Sequence, residues 1–378
     1  MNIGIPKETK SRELRVALSP DVVKSLAGAG FKIIVEKDAG AGSNFSDEMY
    51  QAAGATIESD VKNIYANSDT ILRINAPVPA EISMMKKGAV LISFMWAATH
   101  PELVEACEKA GITSFSMDAV PRISRAQKMD ALSSQSNLAG YKTVLLGANA
   151  LGKIFPMMMT AAGTIKPCKV VIMGAGVAGL QAIATAKRLG AIVMVSDIRP
   201  ETKEQVESLG GKFIEVTGDA SIKTEGGYVK AVSEDFLKKQ QELIFKHVTE
   251  SDLVITTALI PGKKAPVLIT EDMVKNMKPG SVIVDMAVEQ GGNCPLSEID
   301  KTVVKHGVVI IGEANLPSLL PMNASELYAK NIQALLLHLA TKDGFKWEMD
   351  EEITKGSMIT HNGLLKQPSL QKNTTQSA

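Results

Sequence analysis

Cysteine is scarce in this chain. There are three in 378 residues, Cys107, Cys168 and Cys294, and none forms a CxxC pair. That spacing leaves neither a disulfide framework nor a thiolate zinc site, and it fits a reduced compartment. The five histidines show no ligand spacing either, so no metal is expected. Net charge is also missing: Lys and Arg number 41 and so do Asp and Glu. No long-range field therefore recruits nucleic acid or anionic lipid. The N-terminal stretch MNIGIPKETK has no apolar export core, so export is not expected. One apolar run, Val144 to Ile165, approaches the length of a membrane span, but Lys153 and Pro156 interrupt it. A buried helix pair between domains is expected there, in a chain that by itself is soluble.

What is present is a nucleotide turn. Val170 to Gly179 reads VVIMGAGVAG, a run of β-branched and apolar residues that breaks into Gly174, Gly176 and Gly179 and then into a helical pattern. In such a GxGxxG turn the first glycine makes the tight bend, the second lets a pyrophosphate approach the backbone, and the third lets helix and strand pack closely. N–H groups at the helix start then face the phosphates. The next strand, AIVMVSD, ends on Asp197 about twenty residues on, where a carboxylate can accept both ribose hydroxyls. An acid there repels a 2′-phosphate, which favours NAD over NADP. Arg199 complicates that preference, because an arginine just past the acid can meet a 2′-phosphate. Ala175, Val177 and Ile198, which neighbour these residues, complete the expected contacts on this side of the dinucleotide.

A length of 378 residues suggests about two domains. Residues 2 to 125 alternate short strands (NIGIP, Phe31 to Glu36, Thr70 to Asn75, Ala89 to Phe94, Ile112 to Met117) with amphipathic runs. Ser19 is placed to cap one of these, with Pro20 at its first position. Such alternation predicts a parallel sheet. Further strands are expected at Lys212 to Val216, in DLVITTALI, in SVIVDMAV and in VVIIG, with helices at Glu201 to Leu209, Asp235 to His247 and around Glu271 to Met277. Thr217 to Glu234 reads as a long loop carrying Gly227 and Tyr228, and loops of this length are often lids. The fold class expected is α/β, with two Rossmann-like domains, parallel sheets and a cleft between them. The boundaries expected are 1–125 with 325–378, lacking a nucleotide fingerprint, and 126–324, binding NAD(H), with helices crossing at both ends.

Between the two halves lies PRISRAQKMDALSSQSNLAGY, dense in Arg122, Arg125, Gln127, Asp130, Ser133, Ser134 and Gln135. This stretch, with GIPKETKSRELRVALSP, MGAGVAGLQAIATAKRLGA, ALIPGKKAP, VDMAVEQGGN and EITKGSMITHNG, resembles the NAD(H)-binding component of proton-translocating NAD(P) transhydrogenase, and alanine dehydrogenase shares most of that framework. The resemblance covers nearly the whole chain. It implies that Arg122, Gln127, Asp130 and Ser133 position the nicotinamide, that Tyr228 belongs to a mobile loop closing over the nucleotide, and that Leu259 lines it. Gln127 and Ser133 have the hydrogen-bonding groups to fix a carboxamide, while Arg122 would hold Asp130 or a phosphate.

The two relatives part on chemistry. Reducing an oxo acid to an amino acid needs cationic anchors and a general acid or base. In alanine dehydrogenase these are an arginine, a lysine, a histidine and an aspartate; the matching positions here are Arg15, Asn75, Trp96 and Glu289. Losing the lysine and the histidine disables that reaction. Direct transfer of hydride between two nicotinamides needs proximity and orientation instead. The resemblance therefore implies a chain that binds NAD(H) and works with an NADP(H)-binding subunit and a membrane-spanning proton-conducting subunit. It also implies a homodimer on the cytoplasmic side of the membrane; the apolar helices expected around Met157 to Met159 and Ile332 to Leu339 are either interface or buried core of the chain itself. The alternatives are an amino-acid or oxo-acid dehydrogenase like alanine dehydrogenase, and a non-catalytic NAD(H) sensor.

Overall fold

Strands buried on both faces of a parallel sheet read as near-continuous apolar runs; VLISF is such a run, while TSFS is buried throughout although three of its four residues are polar. The structure, a computed structural model, describes residues 1–215, 224–225, 228–229, 234–259 and 264–367; for 224–225, 228–229 and 234–238 it describes backbone only. It is α/β and divides into two units: Met1–Gln135 with the chain from Pro317, and Ser136–Leu316. The helix Ala131–Ala150 runs across the first boundary.

In the first unit, β1 (Asn2–Ile5), β2 (Lys32–Glu36), β3 (Thr56–Glu58), β4 (Thr70–Asn75), β5 (Val90–Phe94) and β6 (Thr113–Ser116) pair in parallel in the order β6-β5-β4-β1-β2-β3. Met358–His361 adds to β6 antiparallel, followed by Leu364–Leu365. Residues of β5 and β6 are buried throughout. The 19-residue helix Pro321–Leu339 brings Tyr328, Ile332, Leu335 and Leu336, all fully buried, onto this core. At about 25 cal/mol per Å2 of apolar surface, each such side chain contributes roughly 1.5–3 kcal/mol. Of the two readings of Ile332 to Leu339, interface or core, this places most of the stretch in the core.

The second unit holds a seven-stranded sheet in the order Lys212–Phe213, Ile192–Ser196, Lys169–Met173, Leu253–Thr256, Val282–Asp285, Val308–Gly312, Lys301–Lys305. All pairs are parallel except the last. The order reverses between Lys169–Met173 and Leu253–Thr256, and open sheets of this kind bind ligands at the carboxyl ends beside such a reversal. All three cysteines are buried and free; burial pushes the Cys107 and Cys168 thiols up to about 12, which keeps them unreactive.

Four expectations need correction. Val144 to Ile165 is no helix pair: after Ala150 the chain forms an exposed antiparallel pair, Met158–Thr160 with Gly163–Ile165. Gly163 turns it at φ +133, where a side chain would be strained. Met158 and Met159 are accordingly exposed strand rather than helix, with Met157 exposed just before it. Ser19 does precede the Pro20–Gly28 helix, but its side chain makes no capping bond; its carbonyl accepts from Val23 N instead. Within the segment expected to be a loop, Thr224–Glu225 pairs with Tyr228–Val229. Gly227 lies outside the described residues, as does the Tyr228 side chain. No helix among the described residues is long and apolar enough to cross a membrane.

Candidate nucleotide site

Each glycine of the turn meets a different surrounding. Gly174 sits at φ +109, and a Cβ there would lie 2.4 Å from Thr257 Oγ1. A Cβ on Gly179 would fall 1.9 Å from the Gly174 carbonyl oxygen, so only glycine lets the Val177–Arg188 helix pack this close to its strand. At Gly176 a Cβ would meet nothing within 4 Å. Packing thus requires the first and third glycines, while the second leaves open space at the N-terminus of a twelve-residue helix. A pyrophosphate fits that arrangement, with unpartnered N–H groups and the positive end of the helix dipole to receive it. Ala175 is buried in the turn, and Val177 is partly exposed at the helix start.

Asp197 follows the Ile192–Ser196 strand, and its Oδ2 accepts from Ala175 N at 2.6 Å, tying the acid to the turn. Arg199 folds back on it, with Nε to Oδ1 at 3.0 Å, Nη2 to Oδ2 at 2.9 Å and its backbone N to Oδ1 at 2.8 Å. Burial pushes the Asp197 carboxyl up, but the guanidinium and the two backbone N–H groups outweigh it and hold the carboxyl below the usual aspartate range. Ile198 stands out into solvent and Leu259 is half-exposed. Sequence reasoning missed Asn293, which is fully buried. Its amide donates to the carbonyls of Ala258 and Pro266 and accepts from Ala258 N, fixing the segment that follows the Leu253–Thr256 strand. The only hint was its place in the VDMAVEQGGN motif.

In the first unit, β4, β5 and β6 deliver Asn75, Trp96 and the stretch from Met117 onward at their carboxyl ends. The 310 turn Ser124–Met129 anchors its apolar residues Ala126 and Met129 in the core, leaving Gln127 exposed, as Arg122 is. Asp130 and Ser133 come together: Oδ1 accepts from Ser133 N at 2.9 Å and Oδ2 from Ser133 Oγ at 2.6 Å. Asp130 thereby caps the Ala131–Ala150 helix. Arg122 makes no hydrogen bond or ion pair among the described residues, so it does not hold Asp130 as expected. Arg125 pairs instead with Glu351 and Glu352.

Two of the positions matched to the oxo-acid residues of alanine dehydrogenase, Arg15 and Asn75, are hydrogen-bonded within the first unit. Glu13 grips Arg15 with both oxygens, at 2.7 Å to Nε and 2.6 Å to Nη2, and Arg15 Nη1 donates to Gln135 at 2.8 Å. Asn75 Nδ2 bridges Glu13 at 3.0 Å and Glu8 at 3.2 Å, and Glu8 faces the buried Arg73. Burial pushes Glu13 up, yet Arg15 prevails and brings it down to about 2. For Glu8 burial wins over Arg73, and its pKa rises. Both cations of this cluster are paired: Arg15 with Glu13, and Arg73 with Glu8 and Glu81. Trp96 lies half-exposed at the end of β5, and Glu289 is exposed in the second unit.

Comparison with known proteins agrees in both units. Residues 4–139 match the family described as alanine dehydrogenase/PNT, N-terminal domain, and residues 143–368 match its C-terminal domain. The chain is 52% identical over 379 aligned positions to the protein of Rhodospirillum rubrum named as the first part of NAD(P) transhydrogenase subunit alpha, covering 98% of this chain and 99% of that one. It is 34% identical to the alanine dehydrogenase of Bacillus subtilis, over 96% and 92% of the two chains. The crystal structure of the transhydrogenase from Sinorhizobium meliloti superposes with a TM-score of 0.89 at 44% identity, covering 97% of this chain and all of that one. With both domains matched along nearly its whole length, the chain belongs to the alanine dehydrogenase/PNT family.

Proposed function

We propose that this chain is the NAD(H)-binding component of a proton-translocating NAD(P) transhydrogenase. Hydride passes between NAD(H) held here and NADP(H) held by a partner subunit, and a separate membrane-spanning component conducts the protons. The observation that carries this reading is the combination of an intact nucleotide turn with internal hydrogen bonds at two of the matched oxo-acid positions. Gly176 leaves open space for a pyrophosphate, whereas Arg15 is bound to Glu13 and Asn75 to Glu13 and Glu8. The names of relatives such as that of Rhodospirillum rubrum support a multi-subunit assembly.

When bound, the nicotinamide supplies or accepts the hydride at its C4. The chain's own residues bind and orient it. N–H groups at the start of the Val177–Arg188 helix receive the pyrophosphate, and Asp197 accepts the adenosine ribose hydroxyls, which favours NAD over NADP. Gln127 and Ser133 hydrogen-bond the carboxamide, Arg122 offers its guanidinium to a phosphate, and Asp130 fixes Ser133. Leu259 adds apolar contact, and Tyr228 acts in the loop that the family resemblance assigns to closing over the nucleotide. No proton moves at the reacting centre, so a general base is not needed, and positioning supplies the acceleration.

The homodimer is supported by the Met157–Ile165 hairpin, where Met157, Met159 and Ile165 are 60%, 75% and 44% exposed. Apolar side chains gathered this way on an exposed hairpin mark an interaction surface. The complex sits at the cytoplasmic face of the membrane through its partners.

The simplest test gives the chain NADH, pyruvate and ammonia. No NADH oxidation is expected, and robust turnover by the chain alone would return the reading to an amino-acid dehydrogenase. Co-purification from membranes identifies the partner chains.

A further inference from the structure

Trp96 is held in a way that packing alone does not require. Its backbone sits at φ +48, left-handed, which is rare for a bulky residue and tends to persist at ligand sites. The indole is nevertheless 45% exposed at the carboxyl end of β5. Two restraints hold it. Asp118, in the 310 turn Met117–Ala119 after β6, accepts from Met95 N at 2.9 Å and Trp96 N at 3.2 Å. On one face the indole stacks on Phe94, with ring centroids 5.7 Å apart and planes 24° apart. Phe94 in turn packs on the buried Tyr328 at 5.4 Å, and the Tyr328 hydroxyl donates to the Arg73 carbonyl. The result is an aromatic column anchored in the core and ending in a partly exposed indole. The restraining Asp118 lies on the stretch that leads directly to Arg122.

We infer that Trp96 is a ring-binding platform that distinguishes the redox states of the nicotinamide. The oxidised ring is a planar cation and the reduced ring is neutral, and an indole face attracts a cation more strongly than any other aromatic side chain does. Trp96 therefore adds affinity for NAD+ over NADH, and it covers the place where an oxo acid would need a base. The inference rests on the proposed NAD(H) function, with the nicotinamide lying at the ends of β4 to β6.

Calorimetric titration of the full chain with NAD+ and with NADH tests it, in the wild type and in W96F and W96N. Asparagine tolerates the left-handed backbone, so W96N removes the ring without forcing the chain to refold locally. W96N should weaken NAD+ binding about threefold to tenfold, a typical size for a cation–π contact. NADH binding should change by less than about twofold, on the same basis, and W96F should fall between wild type and W96N. Equal losses for both nucleotides, or no loss for either, would overturn the redox role while leaving the NAD(H) reading in place. If the wild type binds neither nucleotide, both fail. In a W347F background, which leaves Trp96 as the single tryptophan, NAD+ should quench the indole emission; unchanged emission on saturation would count against stacking.

Discussion

Among single residues, Arg199 and Asp197 set a competition. The carboxylate already receives the Arg199 fork and two backbone N–H groups, so in the proposed binding mode the ribose hydroxyls displace the guanidinium. Replacing Arg199 with Met should tighten NADH binding by up to about fivefold, the scale of a half-exposed ion pair. It should also flatten the dependence on salt. Weaker binding in R199M would mean that the guanidinium contacts the nucleotide instead. Gln127 and Asp130 separate in a second experiment. Gln127 is exposed and Asp130 caps a helix, so Q127A should slow hydride transfer at unchanged melting temperature. D130A should slow transfer and also cost about 1 kcal/mol of stability as a lost cap. Equal loss of transfer rate and NADH affinity in Q127A would contradict its orienting role. That Asp197 follows a strand was legible from AIVMVSD; its capture by Arg199 depends on rotamers that no residue pattern encodes.

Elements were legible where their period was strong. The five strands expected before residue 125 all form, as does the strand–turn–helix around Gly174. The strands Thr56–Glu58, Lys301–Lys305 and Met358–His361 escaped, because they are short or edge-lying and carry charge or polar groups that blur the apolar signal. The hairpin after Ala150 was not legible because an apolar run does not announce whether it is buried. The turn permits a sharper test: G179A must push its methyl into the Gly174 carbonyl, whereas G176A meets open space. G179A is expected to lower the melting temperature by several degrees, at a few kcal/mol for a backbone clash in the core. G176A should melt like the wild type yet lose NADH affinity at least tenfold, a change of about 1.4 kcal/mol. Unchanged affinity in G176A would argue that no pyrophosphate passes there.

For the whole molecule, zero net charge and few cysteines bound the class without naming a function. The division into two α/β units was readable from alternating patterns, whereas the internal pairing of Arg15 and Asn75 was not. Asn75 and Trp96 showed only as departures from a motif, and the Glu8–Asn75–Glu13–Arg15 cluster became visible once β1 and β4 were side by side. The exposed hairpin makes an assembly prediction: M157S with M159S should shift the chain from dimer to monomer in sedimentation, with little change in melting of either unit. A monomeric wild type would remove the hairpin from the account. The central claim, direct hydride transfer without proton exchange, is tested most directly by isotope. NADH carrying deuterium at both C4 positions is incubated in ordinary water with this chain, its NADP(H)-binding partner and NADP+. The deuterium should appear in the NADPH, with none lost to solvent; NADPH formed without the label, or no NADPH at all, would contradict the account.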